Sequence, residues 1–241
     1  MKIEDYYKKL DDNSRNIYDQ TLRSPEVLAK GHNVALDLHK LCVCAGVAVE
    51  DEGAMFDVVC SQIETSCLAL SYGLYRSAFA SLRLSLEFGL GAIYFSANKF
   101  AYKEWRSGVV EADIRWFQVN GPDSGVLSGR FSAAFFPEIK ELVSDYRERA
   151  NSMYRKLSEY VHGNHSTWQA TGLRLAYNDG LREYFFSGLS EVGEILYFAM
   201  CCRYLKEMSV DKIEEVEPIL GSMFTHIEPI RVLLGGPRDA K

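Results

Sequence analysis

Residues 56–95 read FDVVCSQIETSCLALSYGLYRSAFASLRLSLEFGLGAIYF. In the first half, apolar residues recur at alternating spacings of four and three, as on one face of an α-helix: Phe56, Cys60, Ile63, Cys67, Leu70 and Leu74. The same spacing resumes after Gly73: Tyr75, Phe79, Leu82, Leu86, Leu90 and Ile93. The pattern predicts two long antiparallel helices that turn at Gly73 and bury their apolar faces in a common core.

The rest of the chain also favours helices. No proline occurs between Pro25 and Pro122, so long helices are allowed there, and Ser24-Pro25-Glu26 has the residue types of a helix start. We predict helices from this start to about Val43, and over 139–161, 189–208 and 210–234. The stretch 109–136 lacks helical periodicity and contains the turn sequence NGPDSG at 120–125.

These segments predict an all-α protein, a helical bundle of about six or seven helices. We expect one domain over 1–241, with N-terminal helices in 1–47, a core over about 55–208 and a C-terminal helix over about 210–234. Residues 168–177 have strand-like composition, so a short irregular or extended connection is expected near 165–178. The sequence has no internal repeat and no linker that would divide it.

Composition limits the classes of function. The 241 residues are 47% hydrophobic and 25% charged, which is ordinary globular composition and excludes disorder or a collagen-like chain. The formal net charge of −6 argues against a protein that coats nucleic acid or anionic membrane through bulk charge. Binding to RNA would therefore have to use a local basic face.

Compartment and membrane association are judged from three features. The start MKIEDYYKKLDD lacks the apolar segment of a signal peptide, so we expect a cytoplasmic protein. The longest uncharged apolar stretch, Phe88 to Asn98, is shorter than the ~20 residues that span a bilayer, so we expect no membrane partner. No C-x-x-C pair occurs, which predicts that the six cysteines are reduced core residues.

Common catalytic and cofactor motifs are missing. The chain has no G-x-x-x-x-G-K-[ST], G-x-G-x-x-G, H-E-x-x-H, G-x-S-x-G or EF-hand sequence. His162 and His165 have the i, i+3 spacing of two metal ligands, but a third and a fourth ligand are not evident. We therefore expect neither a cofactor nor a metal.

The densest group of reactive polar residues is YRKLSEYVHGNH at 154–165. At 100° per residue, Arg155 and His162 point within about 20° of each other, opposite the apolar stripe of the same helix. Asn151 shares their face, and Ser158 lies more obliquely. The stripe expected to face the core consists of Tyr146, Ala150, Met153, Leu157 and Tyr160.

This polar face has two interpretations. It is a solvated helix surface, or it is a reactive site. A guanidinium holds a phosphate in two-point contact, and an imidazole at a helix C-terminus, where the helix dipole favours its protonated form, can act as a general acid. In the second case Tyr154, Lys156, Asn164 and His165 would support substrate binding.

Arg83 and Glu87 are four residues apart within an apolar helix. Ionised groups in such a setting need partners. Arg83 and Glu87 therefore either form a buried ion pair with a structural role or line one wall of the active groove.

An arginine followed by a histidine after four to six intervening residues, near the end of a helix in an all-α domain, resembles the motif of the HEPN superfamily (higher eukaryotes and prokaryotes nucleotide-binding domain). Arg155 and His162 match this motif at its widest spacing. YRKLSEYVHG also resembles the terminal helix of uncharacterised bacterial HEPN-like proteins. SLRLSLE at 81–87 resembles the Arg-x-x-x-Glu helix that precedes it in them. The resemblance covers about residues 55–208.

The resemblance implies a function. Many HEPN proteins are metal-independent endoribonucleases of toxin or anti-phage defence systems, and paired protomers bring two such motifs together. By that resemblance, Arg155 would orient the scissile phosphate of an RNA substrate, and His162 would assist attack by the 2′-hydroxyl or departure of the leaving group. A homodimer and an antitoxin or defence-system partner are expected. The alternatives are a non-catalytic HEPN-like nucleotide-binding or protein-interaction (scaffold) module, and a structural subunit of a larger assembly.

Overall fold

The computed structural model describes residues 2–47, 51–162, 164–168 and 175–238, and these contain helices but no β-strand. In the first half the α-helices are α1 (Ile3–Thr21), α2 (Pro25–Cys44), α3 (Asp51–Ser71), α4 (Tyr75–Ala97), α5 (Lys99–Arg106) and α6 (Trp116–Val119). They continue with α7 (Gly129–Phe135), α8 (Val143–Val161), α9 (His165–Trp168), α10 (Asp179–Tyr204), α11 (Val210–Phe224) and α12 (Glu228–Leu233). Short 3₁₀ turns occupy Val110–Ala112, Pro137–Ile139 and Leu205–Glu207.

The predicted all-α class is confirmed, but the helices described outnumber the six or seven predicted. The segment predicted at 189–208 begins ten residues earlier, because the side chain of Asn178 accepts a hydrogen bond from the amide of Leu181 and caps α10. The segment predicted at 210–234 is two helices, since Pro229 starts α12.

The extended connection predicted near 165–178 is only partly described. His165–Trp168 forms a single helical turn, which corrects the extended prediction for those four residues. Residues 175–178 have no regular secondary structure, as expected for an irregular connection, and residues 169–174 lie outside the described part.

Helices α4 and α10 form the centre of the bundle, with α2, α3 and α8 packed around them. The buried side chains of all these helices belong to one continuous apolar cluster, which accounts for their apolar periodicity. The largest completely buried side chains in it include Phe56, Phe79, Phe185, Tyr197 and Phe198.

The two central helices have a membrane-like composition. By length and hydropathy alone, Tyr75–Ala97 and Asp179–Glu207 could each cross a bilayer, and 61% and 78% of their most apolar windows are buried inside the protein. Burial against the neighbouring helices accounts for the apolar character of both.

The six cysteines are free, and five of them are buried. Burial raises the pKa of the Cys60 thiol to about 11 and that of Cys67 to about 12, so both stay protonated at neutral pH. Their placement agrees with the prediction that they serve as small core residues.

The turn between α3 and α4 supports a prediction. Gly73 has φ of +77°, and a Cβ added there would lie 2.5 Å from Cδ1 of Ile17. Gly46, after α2, has nearly the same φ, +74°, but open space around it. We expect Gly46→Ala to lower the unfolding free energy by about 1–2 kcal/mol through the backbone conformation alone. Gly73→Ala should lower it by about 1–3 kcal/mol more, because the added methyl group clashes with Ile17.

Urea unfolding of the two variants measures this difference. Equal losses of unfolding free energy would show that Ile17 moves aside at no cost and that its contact with the turn does not constrain α1.

Candidate functional site

Helix α8 carries the Arg155/His162 motif, and its buried face matches the predicted stripe. Tyr146, Ala150, Met153, Leu157 and Tyr160 are all buried. Near the end of the helix, the ring of Tyr160 stacks on Phe79 of α4, with 3.9 Å between centroids. Burial raises the pKa of the Tyr160 hydroxyl to about 12, so it is neutral at physiological pH. Because this face is buried, the polar residues of α8 lie on its flanks and its outer face.

Arg83 of α4 links that helix to α8. Its Nε donates a hydrogen bond to Oγ of Ser158 at 3.0 Å, and its Nη2 donates to the hydroxyl of Tyr154. Nη2 also lies 3.4 Å from Oε2 of Glu87, whose other oxygen accepts from Tyr154 at 3.4 Å. The side chains of Arg83 and Glu87 are only 19% and 14% exposed. These four residues, which we call the Arg83 link, join two helices that the sequence pattern treats separately.

A second layer covers the Arg83 link from the irregular stretch. The indole of Trp116 in α6 stacks on the ring of Tyr154 at 4.0 Å between centroids, and its Nε1 donates to Oδ1 of Asn151 at 2.8 Å. Nδ2 of the buried Asn120 donates to the same oxygen at 3.0 Å and to the carbonyl of Arg147 at 3.2 Å. Asn151 is therefore occupied by contacts within the protein.

The opposite flank of α8 is held by Arg149. Its Nε and Nη2 donate to the two carboxylate oxygens of Glu191 in α10 at 2.7 and 3.0 Å, and its Nη1 donates to Glu194 at 2.8 Å. The hydroxyl of Tyr146 also donates to Glu194. Its hydrogen bond with Arg149 lowers the pKa of the Glu194 carboxyl, and the pKa of Arg149 is raised.

The C-terminal end of α8 is fixed by backbone contacts. Arg76, in the first turn of α4, donates to the carbonyls of Tyr160 at 2.6 Å and His162 at 3.2 Å. The hydroxyl of Thr167 donates to the carbonyl of Glu159 at 2.6 Å. His162 is the C-cap, with φ −88° and ψ 164°, so its side-chain direction no longer follows the helical repeat used in the sequence analysis.

The remaining predicted site residues lie on the surface. Arg155, Lys156, His162 and His165 have exposed side chains. Asn164 is half-buried, and its backbone N–H donates to the carbonyl of His162 at 2.8 Å. Within the described residues, the side chains of Arg155 and His162 contact no hydrogen-bonding or ionic partner. The structure thus gathers Arg83, Glu87, Tyr154 and Ser158 into one cluster. It leaves the two predicted catalytic side chains free at the outer face and end of α8.

Sequence reasoning missed three residues of this region. Trp116 and Asn120 lie in the stretch without periodicity, and Arg76 lies one residue after the apolar Tyr75 with no distinguishing pattern. For Trp116 and Asn120 the only signal was the residue type, because a tryptophan and an asparagine in an irregular segment often contact polar groups elsewhere.

The predicted site coincides neither with a cluster of metal ligands nor with either of the two larger cavities among the described residues. Among the described residues no three His, Cys, Asp or Glu side chains group as metal ligands. The two larger cavities, each about 410 Å³, are lined by residues of α1, α2 and α3 in one case and by residues around α12 in the other. Neither includes a predicted site residue.

No protein-family model, no curated protein and no solved structure matches the chain.

The Arg83 link generates a stability prediction. Arg83→Met leaves the largely buried Glu87 without its cation, and charge-assisted hydrogen bonds are worth about 1.5–3 kcal/mol, so unfolding free energy should fall by that amount. Replacing both partners, as Arg83→Met with Glu87→Leu, should recover much of the loss because no unpaired charge stays behind. A double-mutant cycle by urea denaturation measures the coupling. Additive losses would contradict a direct Arg83–Glu87 interaction.

The Arg149 contacts predict a pH dependence. Since the pKa of Glu194 is lower in the folded than in the unfolded state, where it is about 4.3, its contribution to stability is complete above that value and is lost as the pH falls through the folded pKa. Glu194→Gln should therefore destabilise the protein at pH 7, and its deficit should shrink as the pH falls below 4.

Unfolding measured at pH 7 and pH 3.5 tests this, with the exposed Glu111→Gln as control. A Glu194→Gln deficit that is the same at both pH values would contradict the ion pair.

Proposed function

We propose that the chain is a HEPN-like, metal-independent RNA endonuclease of the toxin or anti-phage defence type, cytoplasmic and active as a homodimer. Arg155 and His162 are its catalytic residues. One observation carries the proposal: both side chains are exposed and free of partners, at one end of a helix whose own position is fixed on both flanks. Free cationic and imidazole groups on a rigid support are suited to metal-independent phosphodiester cleavage.

The Arg83 link supports the proposal because it positions α8, the helix that carries Arg155. By fixing Tyr154 and Ser158 toward α4, it fixes the rotation of α8 about its axis, and Arg155 follows Tyr154 directly. Arg155 is thereby directed outward, where a phosphate can approach. Lys156, Asn164 and His165 lie around the same end of the helix and complete its polar surface.

The reaction follows from these groups. The 2′-oxygen of the substrate attacks the adjacent phosphorus, its proton passes to a base, and the bond from phosphorus to the 5′-oxygen breaks as that oxygen receives a proton. His162 exchanges one of these protons, and the planar guanidinium of Arg155 neutralises the charge on the phosphate oxygens. The products are a 2′,3′-cyclic phosphate and a 5′-hydroxyl.

A second chain is part of this proposal because one chain offers no enclosed groove around Arg155 or His162 among the cavities described. Two opposed copies of the α8 end would enclose a strand between two arginines. An antitoxin or other defence-system protein covering the same face would restrain the activity.

The alternative is a non-catalytic HEPN-like module that binds a nucleotide or a protein through this face. The acidic residues that share the exposed side of α8, Asp145 and Glu148, favour its protein-binding form, because they weaken attraction to the phosphate of RNA or of a nucleotide. In that case the protein would bind without turnover.

Purified protein incubated with tRNA and mRNA in EDTA tests the proposal. We expect cleavage by the wild type and a loss of about 10²-fold or more in rate for His162→Ala and for Arg155→Ala. Arg155→Lys should recover little, since lysine cannot make the two-point contact. A 2′-deoxy substitution at the cleaved position should abolish the reaction.

Exposed residues outside the site provide matched controls: Arg130→Ala and His226→Ala should cleave like the wild type. Equal cleavage by the wild type and His162→Ala would remove the nuclease assignment. Binding of RNA or nucleotide without product, weakened by Arg155→Ala, would establish the non-catalytic module instead.

A further inference from the structure

Helix α1 has an apolar stripe that the protein covers only at one end. The stripe follows spacings of four and three: Ile3, Tyr7, Leu10, Ser14, Ile17 and Thr21. Ile17 and Thr21 are 2% and 3% exposed, whereas Ile3 and Tyr7 are 67% and 63% exposed. The first three turns therefore present an amphipathic face that the described residues of the same chain leave open.

The covered end of α1 is anchored at the turn between α3 and α4. Ile17 packs over Gly73, and Tyr18 stacks on Tyr72 with ring centroids 4.9 Å apart. Because α1 is one continuous helix, Ile3 lies about 20 Å along its axis from Ile17. The open end is thus held away from the anchored end by a rigid element.

A second uncovered face lies on α3. Residues at the same spacing along its outer side are all uncharged and exposed: Ala54, Val58, Ser61, Thr65 and Leu68. Val58 and Leu68 are 41% and 58% exposed, and the row extends over about 21 Å. Leu68 also lines the cavity of about 410 Å³ beside Tyr18 and Leu28. We call this row the α3 stripe.

The edges of the two faces carry opposite charges at the same spacing. Lys2 and Lys9, seven residues apart, flank the open face of α1 on one side. Asp57 and Glu64, also seven apart, flank the α3 stripe, and their side chains are 72% and 48% exposed although each contacts a histidine of α2. Seven residues correspond to about 10.5 Å on each helix. Both pairs can therefore meet at once if the two helices run antiparallel, with Lys2 opposite Glu64 and Lys9 opposite Asp57.

We propose that the first three turns of α1 in one copy of the chain pack on the α3 stripe of a second copy, and that the second α1 does the same on the first. The two helices run antiparallel: Ile3 contacts Leu68, Tyr7 contacts Thr65 and Leu10 contacts Val58. The lysines then face the carboxylates. The occupant is a second copy because one chain carries both complementary faces, and a two-fold axis satisfies both at the same time.

The reciprocal arrangement also brings the buried area closer to the size that a stable dimer needs. Specific interfaces bury about 1,600 Å² in total, and a single helix face of about 12 residues falls short of that. Two such contacts related by symmetry double the area. The proposal depends on α1 and α3 alone and not on RNA cleavage. It is separate from the contact between α8 ends proposed above, which encloses an RNA strand, so protein without RNA tests the contact between α1 and α3 by itself.

Sedimentation equilibrium of the full chain tests it. The wild type should be a dimer, and Ile3→Glu combined with Tyr7→Glu, or Leu68→Glu alone, should weaken the dimer at least tenfold. Val210→Glu, at a position 73% exposed on α11, is the matched control and should leave the mass unchanged. Circular dichroism should show the helix content of all variants to be equal.

The pairing itself is tested by mixing chains. Ile3→Cys and Leu68→Cys chains, oxidised together, should form a disulfide dimer that neither forms alone and that the wild type, with its own cysteines, does not form. Lys9→Glu should weaken the dimer, and Asp57→Lys in the same chain should restore it.

Several results would overturn the proposal: a monomeric wild type, a dimer indifferent to the α1 and Leu68 variants, or cross-linking of Ile3→Cys chains only with each other. A monomer whose α1 instead binds phospholipid vesicles would overturn it as well. A dimer lost in Arg155→Ala or His162→Ala, but kept in the α1 variants, would place the interface at the end of α8. Cleavage assays on the same variants separate failure of this interface from failure of the nuclease.

Discussion

The packing of α8 on α4 depends on one largely buried charge, the guanidinium of Arg83, which lies in the contact between the two helices. A guanidinium that is 19% exposed must have its donors satisfied, and the partners come from two helices: Glu87 one turn along α4, and Tyr154 and Ser158 on α8. Apolar packing alone tolerates small rotations of one helix on another. Directional hydrogen bonds to a fixed guanidinium do not, so the Arg83 link selects one rotation of α8.

Two further arginines extend this constraint. Arg149 fixes the opposite flank of α8 to α10 by a two-point contact with Glu191, and Arg76 fixes the end of the helix through backbone carbonyls. Each of these guanidiniums is neutralised or hydrogen-bonded within the protein. Arg155 differs from them, because its side chain is exposed and without a partner among the described residues. That contrast separates Arg155, the proposed binding group, from the structural arginines around α8.

The sequence is informative where a structure repeats locally. Periodicity placed α3, α4 and the buried face of α8, because the apolar residues of an amphipathic helix repeat with each turn. The start signal Ser24-Pro25-Glu26 placed α2. Periodicity did not reveal that Trp116 covers Tyr154, since that contact joins segments 38 residues apart through a stretch with no repeat. It also placed His162 by helical geometry, whereas the helix ends one residue before it. The start of α10 was missed for a similar reason, because the capping of Leu181 by Asn178 depends on side-chain geometry.

The net charge of −6 and a phosphate-binding role for Arg155 are compatible for a physical reason. At physiological salt, interactions between exposed charges are largely screened beyond about 8 Å, so the summed charge of the chain is weak at the end of α8. Local groups decide instead. On one chain the acidic Asp145 and Glu148 share the exposed side of the helix and offset Arg155 and Lys156. Two opposed α8 ends would place both Arg155 side chains within one screening length of the same phosphate. The proposed chemistry therefore needs a second chain electrostatically as well as sterically.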